Sequence, residues 1–129
     1  MFYILVVEDD ENTRKLMEAV LVQSGYAVVT AKNGVDALDK MDSHHVDLIV
    51  LDLMMPRMDG YEFAGTLRKC GDNIPILMVT AKEAPADKKK GFLAGTDDYM
   101  VKPVNEEELI LRIAALFRRS RIANEHRMT

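Results

Sequence analysis

The sequence predicts an α/β layered domain built on a parallel sheet, and three observations carry that expectation. Five short apolar, β-rich segments recur at intervals of about 20 to 25 residues, with stretches of helical spacing between them. Most of the five are continuously apolar rather than alternating, as strands buried on both faces are, and parallel sheets are buried in that way. Strand followed by helix, five times over, is the signature of right-handed crossovers that lay helices on both faces of one sheet.

The elements follow in order. Residues 3–7 form the first strand. Leu16, Val20 and Leu21 suit a helix over about 12–24, with Gly25 placed to end it. Residues 27–31 make the second strand, and Asn33-Gly34 marks a turn before Val35, Leu38 and Met41 on a short second helix. The third strand spans 48–51. Asp59-Gly60 opens a third helix that carries Phe63 and Leu67 and closes near Gly71. After a fourth strand at 74–79, Pro85 suits the first turn of a fourth helix, which runs through 88–94 and stops at Gly95. A fifth strand at 98–101 precedes the longest helix, from about 105 to 121. The polar, basic stretch 122–129 reads as a linker or tail, so 1–121 is expected as the domain.

Composition narrows the function classes. At 129 residues and 14.6 kDa, with 48% hydrophobic residues, the chain has the size and apolar content of one domain with one sizeable core. Lys+Arg 17 against Asp+Glu 21 gives a net charge of -4 and a pI near 5.4, which offers no support for a nucleic-acid-binding surface. The apolar runs fall far short of the roughly 20 residues that span a bilayer, and the N-terminus lacks the basic region and cleavage site of a secretory signal. Cys70 stands alone, which excludes an internal disulfide and fits a reducing, cytoplasmic setting.

In an open parallel sheet, ligands bind beyond the carboxyl ends of the strands, where strand order reverses. At those ends stand Glu8, Asp9 and Asp10 after the first strand, Asp52 after the third, Thr80 after the fourth and Lys102 after the fifth. Crowded carboxylates repel one another unless a cation is present, and with no His or Cys at these positions the natural partner is a hard divalent ion such as Mg2+. Asp52, embedded in Val50-Leu51-Asp52-Leu53-Met54, is a carboxylate able to attack phosphorus. Plain structural readings stand beside these. Asp9 and Asp10 suit helix capping, Thr80-Ala81-Lys82-Glu83 matches a capping box, and Lys102 before Pro103 suits an extended surface residue. Asp52 is the hardest to dismiss in this way, and independent capping would not put all of these residues at the ends of different strands.

Four segments also resemble a known family: Ile4-Leu5-Val6-Val7-Glu8-Asp9-Asp10, the run from Leu51-Asp52 to Met58-Asp59-Gly60, Val79-Thr80-Ala81-Lys82, and Asp97-Asp98-Tyr99-Met100-Val101-Lys102-Pro103. Together and in this order they resemble the receiver domain of bacterial two-component response regulators. The resemblance implies a flavodoxin-like, doubly wound five-stranded sheet of order 2-1-3-4-5. It implies that Asp52 accepts a phosphoryl group from a sensor histidine kinase, and that Asp9 and Asp52 bind Mg2+ by side chains, Glu8 through water and Met54 by its carbonyl. Lys102 would pair with phosphoryl oxygens. Thr80 and Tyr99 would be the switch pair, the hydroxyl turning to the phosphate as the ring moves inward. Such a chain catalyses its own aspartyl phosphorylation and dephosphorylation without being a turnover enzyme.

The last helix carries more apolar surface than one buried stripe uses, from Leu109, Ile110 and Leu111 to Leu116 and Phe117. Here the sequence resembles the OmpR/PhoB transcription-factor branch. That implies a homodimer formed on phosphorylation through the fourth helix, fifth strand and last helix, with Lys88–Glu108, Asp97–Arg112 and Asp98–Arg119 as ion pairs across a twofold axis. DNA would be reached only through a further, C-terminal domain. The alternatives are a stand-alone receiver acting as a monomeric partner-binding switch or phosphocarrier, an aspartyl-phosphate phosphohydrolase, and a phosphorylation-independent interaction domain. Met54 stands where a hydrolase would need its second acid, and the intact acid, Thr and Lys set argues against the last of these.

Overall fold

The computed structural model describes residues 1–53, 58–81 and 95–127, with 121–127 described by backbone alone. The strands are β1 (Tyr3–Val7), β2 (Ala27–Ala31), β3 (Leu48–Asp52), β4 (Ile76–Thr80) and β5 (Asp98–Val101). The helices are α1 (Glu11–Gln23), α2 (Gly34–Ser43), α3 (Gly60–Lys69) and a C-terminal helix (Glu106–Arg127). The strands pair in parallel in the order β2-β1-β3-β4-β5, as expected. The order reverses beside β1, because the chain goes out to β2 and then returns across β1 to β3. The carboxyl ends of β1 and β3 are therefore the switch point at which open parallel sheets bind their ligands.

Each strand of the interior is buried on both faces, which is why those segments read as unbroken apolar runs. Leu5, Val7, Ile49, Leu51, Ile76 and Met78 pack on one face against Ala37, Phe63, Ala64 and Leu67 of α2 and α3. Ile4, Val6, Leu48, Val50, Leu77, Val79 and Met100 pack on the other against Met17, Val20 and Leu21 of α1 and Leu109, Ile113 and Leu116 of the C-terminal helix.

The helix starts are set by short polar side chains. Asp10 Oδ2 accepts the Thr13 N–H at 2.9 Å, Asn33 Oδ1 accepts from Asp36, and Asp59 Oδ1 accepts from Glu62, each a cap on an otherwise unpaired amide. Gly25, at φ +96°, turns the chain out of α1 in a conformation that side chains rarely adopt.

Four boundaries differ from expectation. β4 begins at Ile76 instead of residue 74, because Pro75 has no amide to give the ladder and the Ile74 N–H is taken by Asp72. β3 and β4 each extend one residue further, so Asp52 and Thr80 are the last residues of their strands. The C-terminal helix does not stop at 121 but runs on to Arg127, across a stretch rich in helix formers that contains neither Gly nor Pro. The expected fourth helix, with Pro85 and Lys88, lies outside the described residues.

Candidate functional site

The sheet brings four strand ends to one rim. Beyond β1, the Glu8 N–H still bonds to the Ala31 carbonyl at 3.0 Å, so the ladder carries Glu8 one residue past the strand and into full burial. β3 delivers Asp52 as its final residue, only 2% exposed. The Lys102 N–H donates to the Thr80 carbonyl at 2.8 Å, tying the residue after β5 to the end of β4. The Lys102–Pro103 peptide bond is cis.

Carboxylate oxygens of Glu8, Asp9 and Asp52 lie within 4.8 Å of one another. Lys102 reaches into the cluster, with Nζ 2.7 Å from Glu8 Oε1 and 3.5 Å from Asp52 Oδ1. The second Glu8 oxygen accepts the Asp10 N–H at 3.2 Å, and the Arg14 guanidinium donates to the Glu8 carbonyl at 3.0 Å. Burial pulls the Lys102 pKa down, but its bond to Glu8 and the charges of Asp52 and Glu8 outweigh that and hold it above the ordinary 10.5. Lys102 is therefore a fixed cation at neutral pH.

Three acids against this ammonium leave an excess of negative charge in a place with little water. The donors are all oxygen and one of the acids, Asp9, is exposed. A hard divalent cation entering from solvent fits that set, and a thiophilic or imidazole-seeking metal does not.

The two acids following Glu8 divide their roles. Asp10 is a helix cap, and its carboxyl sits below the usual value because the Thr13 hydroxyl, at 2.6 Å, and the Thr13 amide both donate to it. The capping reading holds for Asp10, whereas Asp9 joins the acidic cluster. Thr80 is fully buried at the end of β4. Tyr99 is also buried, its hydroxyl 3.3 Å from that of Tyr61. Met54, expected as a carbonyl ligand, and Lys82 lie outside the described residues.

Four of the six residues expected at a twofold interface, Asp97, Asp98, Glu108 and Arg112, have partners within the chain. Arg112 Nη1 is 3.0 Å from both oxygens of Asp98, and its Nη2 is 3.3 Å from Glu108. Asp97 accepts from Arg68 at 3.0 Å and from the Ile76 amide at 2.8 Å. Arg119 is exposed, and Lys88 lies outside the described residues. Leu111, next to Arg112, is 62% exposed, whereas Leu109, Ile113 and Leu116 are core residues.

Sequence reasoning missed Arg68 and Tyr61. Arg68 donates to the carbonyls of Gly95, Asp72 and Ile74 as well as to Asp97, joining the turn after α3 to the entry of β5. As one of two basic residues in the last turn of α3, it carried no mark that separated it from Lys69. Tyr61 reads as an ordinary apolar core position.

Comparison with known proteins agrees with this geometry. The family model for the response regulator receiver domain matches residues 4–114. "Response regulator MprA" of Mycobacterium avium is 46% identical over 118 residues, covering 92% of this chain and 52% of that protein. The Mycobacterium ulcerans protein of the same name is 43% identical over 122 residues, covering 95% and 53%. The chain thus spans about half the length of the curated relatives it matches.

Solved structures agree in fold. The receiver domain of Francisella response regulator 1452 superposes with a TM-score of 0.88 at 32% identity, covering 93% of this chain and 99% of that one. The Thermotoga maritima response regulator TrrA, solved in complex with Mg2+-BeF, gives 0.81 at 38% identity, covering 90% and 99%. A doubly wound sheet that gathers Glu8, Asp9, Asp52, Thr80 and Lys102 at one rim, matched over nearly its whole length, places this chain in the response regulator receiver domain family.

Proposed function

We propose that this chain is a cytoplasmic phosphorylation switch in which Asp52 takes a phosphoryl group from the phosphohistidine of a sensor kinase. The observation that carries the reading is the set of Glu8, Asp9 and Asp52 oxygens within 4.8 Å, with Lys102 at 3.5 Å from Asp52. An Asp52 oxygen forms the new bond to phosphorus while the bond from phosphorus to the donor imidazole nitrogen breaks, and the imidazole leaves with that electron pair. Lys102 stands beside Asp52 to neutralise oxygens of the arriving phosphoryl group. Asp9 and Asp52 would hold Mg2+ by their side chains, with Glu8 acting through water and Met54 through its carbonyl. When bound, the ion supplies the remaining charge neutralisation. Complexation of TrrA with Mg2+-BeF supports this choice of ion.

Glu8 has a further duty. With one oxygen on Lys102 and the other on the Asp10 amide, it fixes the ammonium in place before any phosphoryl group arrives. The chain so built catalyses its own phosphorylation and dephosphorylation and turns over no separate substrate. Output through a phosphorylation-dependent homodimer on the face of β5 and the C-terminal helix, and control of transcription by a further domain, belong to the same reading. The half-length match to the MprA relatives and the exposed Leu111 beside Arg112 support it.

The test is to incubate the chain with Mg2+ and acetyl phosphate, then measure intact mass and mass in solution beside an Asp52→Asn control. A phosphoryl adduct and a dimer are expected only where Asp52 is intact. An undiminished adduct on Asp52→Asn overturns the assignment of the nucleophile, and an adduct without dimer overturns the output.

A further inference from the structure

β5 is the edge strand of the sheet, and among the described residues no strand lies beyond it. Tyr99 is nevertheless only 7% exposed, packed on the α3 face of the sheet in the same cluster as Phe63, Leu67 and Met78. Its hydroxyl lies 3.3 Å from the hydroxyl of Tyr61, itself 9% exposed. A position this deep is served equally well by Phe, since a phenol brings a polar group that needs a partner when buried. Tyr61 and Tyr99 meet that need in part through each other.

The position of Tyr61 ties this contact to the nucleophile. Tyr61 follows Gly60, the first residue of α3, and the Gly60 N–H bonds to the Leu53 carbonyl at 3.0 Å. Gly60 is seated so closely that a Cβ there would come 2.9 Å from the Asp52 carbonyl oxygen and 3.0 Å from the Leu53 Cα. The start of α3 therefore rests on the backbone of Asp52 itself, and Tyr61 reaches from that seat to β5. β4 lies between β3 and β5, and Thr80 is its last residue. Alternation along β4 puts it on the same face as Met78, whose register partner is Tyr99.

We propose that Tyr61 is a positioning residue for the switch, its hydroxyl holding the Tyr99 ring in the interior and so setting the share of molecules with the ring inward before Asp52 is phosphorylated. This rests on the reading of the chain as a phosphorylation switch. Swinging Tyr99 outward breaks the bond between the two hydroxyls while Tyr61 stays buried, so the bond biases a two-state equilibrium that phosphorylation also biases. At 3.3 Å it is longer than most O–H···O bonds, and its loss is expected to shift the inward-to-outward ratio by about two- to fivefold.

The experiment uses the chain labelled with 3-fluorotyrosine, the Tyr99 fluorine signal being identified by its disappearance in Tyr99→Phe. Accessibility of that signal to a soluble nitroxide is measured in wild type, Tyr61→Phe and Tyr61→Leu, alongside Asp52 phosphorylation by acetyl phosphate with Mg2+. The expected result is a two- to fivefold rise in Tyr99 accessibility in Tyr61→Phe while the phosphoryl adduct still forms. An unchanged Tyr99 signal in Tyr61→Phe, with a change only in Tyr61→Leu, shows that ring packing alone does the positioning and overturns the proposal. Urea unfolding of Tyr61→Phe, Tyr99→Phe and the double variant supplies a second reading. Stability losses that add fully show no coupling and also overturn it. Failure of wild type to form an adduct overturns the phosphorylation reading instead, whatever Tyr99 does.

Discussion

Lys102 holds two buried acids together, and its removal shows what that arrangement costs. Lys102→Met leaves Glu8 and Asp52 buried without their cation, for an expected loss of about 3 to 5 kcal/mol in urea unfolding. The double change Glu8→Gln with Lys102→Met should recover much of it, because the uncompensated charge goes too. The pH dependence follows from the raised pKa of Lys102. A cation whose folded pKa exceeds its unfolded value stabilises fully below the unfolded value, and that contribution drains away as pH rises through the folded one. Wild type should therefore lose stability above about pH 10.5 more steeply than Lys102→Met does. Thr96 is a contrasting case, 6% exposed with an Oγ1 that has no hydrogen-bond partner among the described residues. Replacing the hydroxyl by a methyl of the same shape removes that burden, and Thr96→Val should gain about 1 kcal/mol by the same measurement.

Among the elements, the entry to β5 depends most on a residue outside it. Arg68, in the last turn of α3, donates to three backbone carbonyls and to Asp97, which in turn accepts the first amide of β4. Arg68→Met should cost about 2 to 4 kcal/mol, since several partly buried acceptors lose a charged donor at once. Amide exchange should quicken at Ile76 and Asp97 before it does at Leu5 or Val50, which sit in the middle of the sheet. Uniform quickening across the sheet would show that Arg68 supports global stability alone. The α1 start shows the opposite economy. Asp10 and Thr13 complete that cap within four residues, with no help from the rest of the fold.

For the whole molecule, the acidic rim sets a balance between stability and binding. Three carboxylates within 4.8 Å repel one another, and a divalent cation that binds only the folded form removes the repulsion and adds its binding free energy. Millimolar Mg2+ is expected to raise the melting temperature of wild type. Asp9→Asn should melt higher than wild type in the absence of the ion and gain less from adding it. An Mg2+ response unchanged by Asp9→Asn would remove Asp9 from the ion's ligands. Arg112 was expected to reach across a twofold axis to Asp97. Within one chain its Nη1 donates to both oxygens of Asp98 and Asp97 is engaged by Arg68, contacts that neither make nor exclude a pair across such an axis.

The sequence by itself determined the layered α/β class, five strands and most helix starts, because apolar period, caps and Gly punctuation are local properties that short segments carry alone. It also singled out Glu8, Asp9, Asp52, Thr80 and Lys102, since a topology in which every strand points the same way puts residues that follow strands on one rim. What followed from the tertiary structure was which acids work together. Asp9 and Asp10 are chemically alike and adjacent, yet the ladder bond from Glu8 to Ala31 and the turn into α1 send one to the cluster and the other to a cap. Arg68 and Tyr61 were equally hidden, because each depends on partners from elements far apart in the chain. Which polar groups share a buried space is settled only when the sheet and its helices close over them.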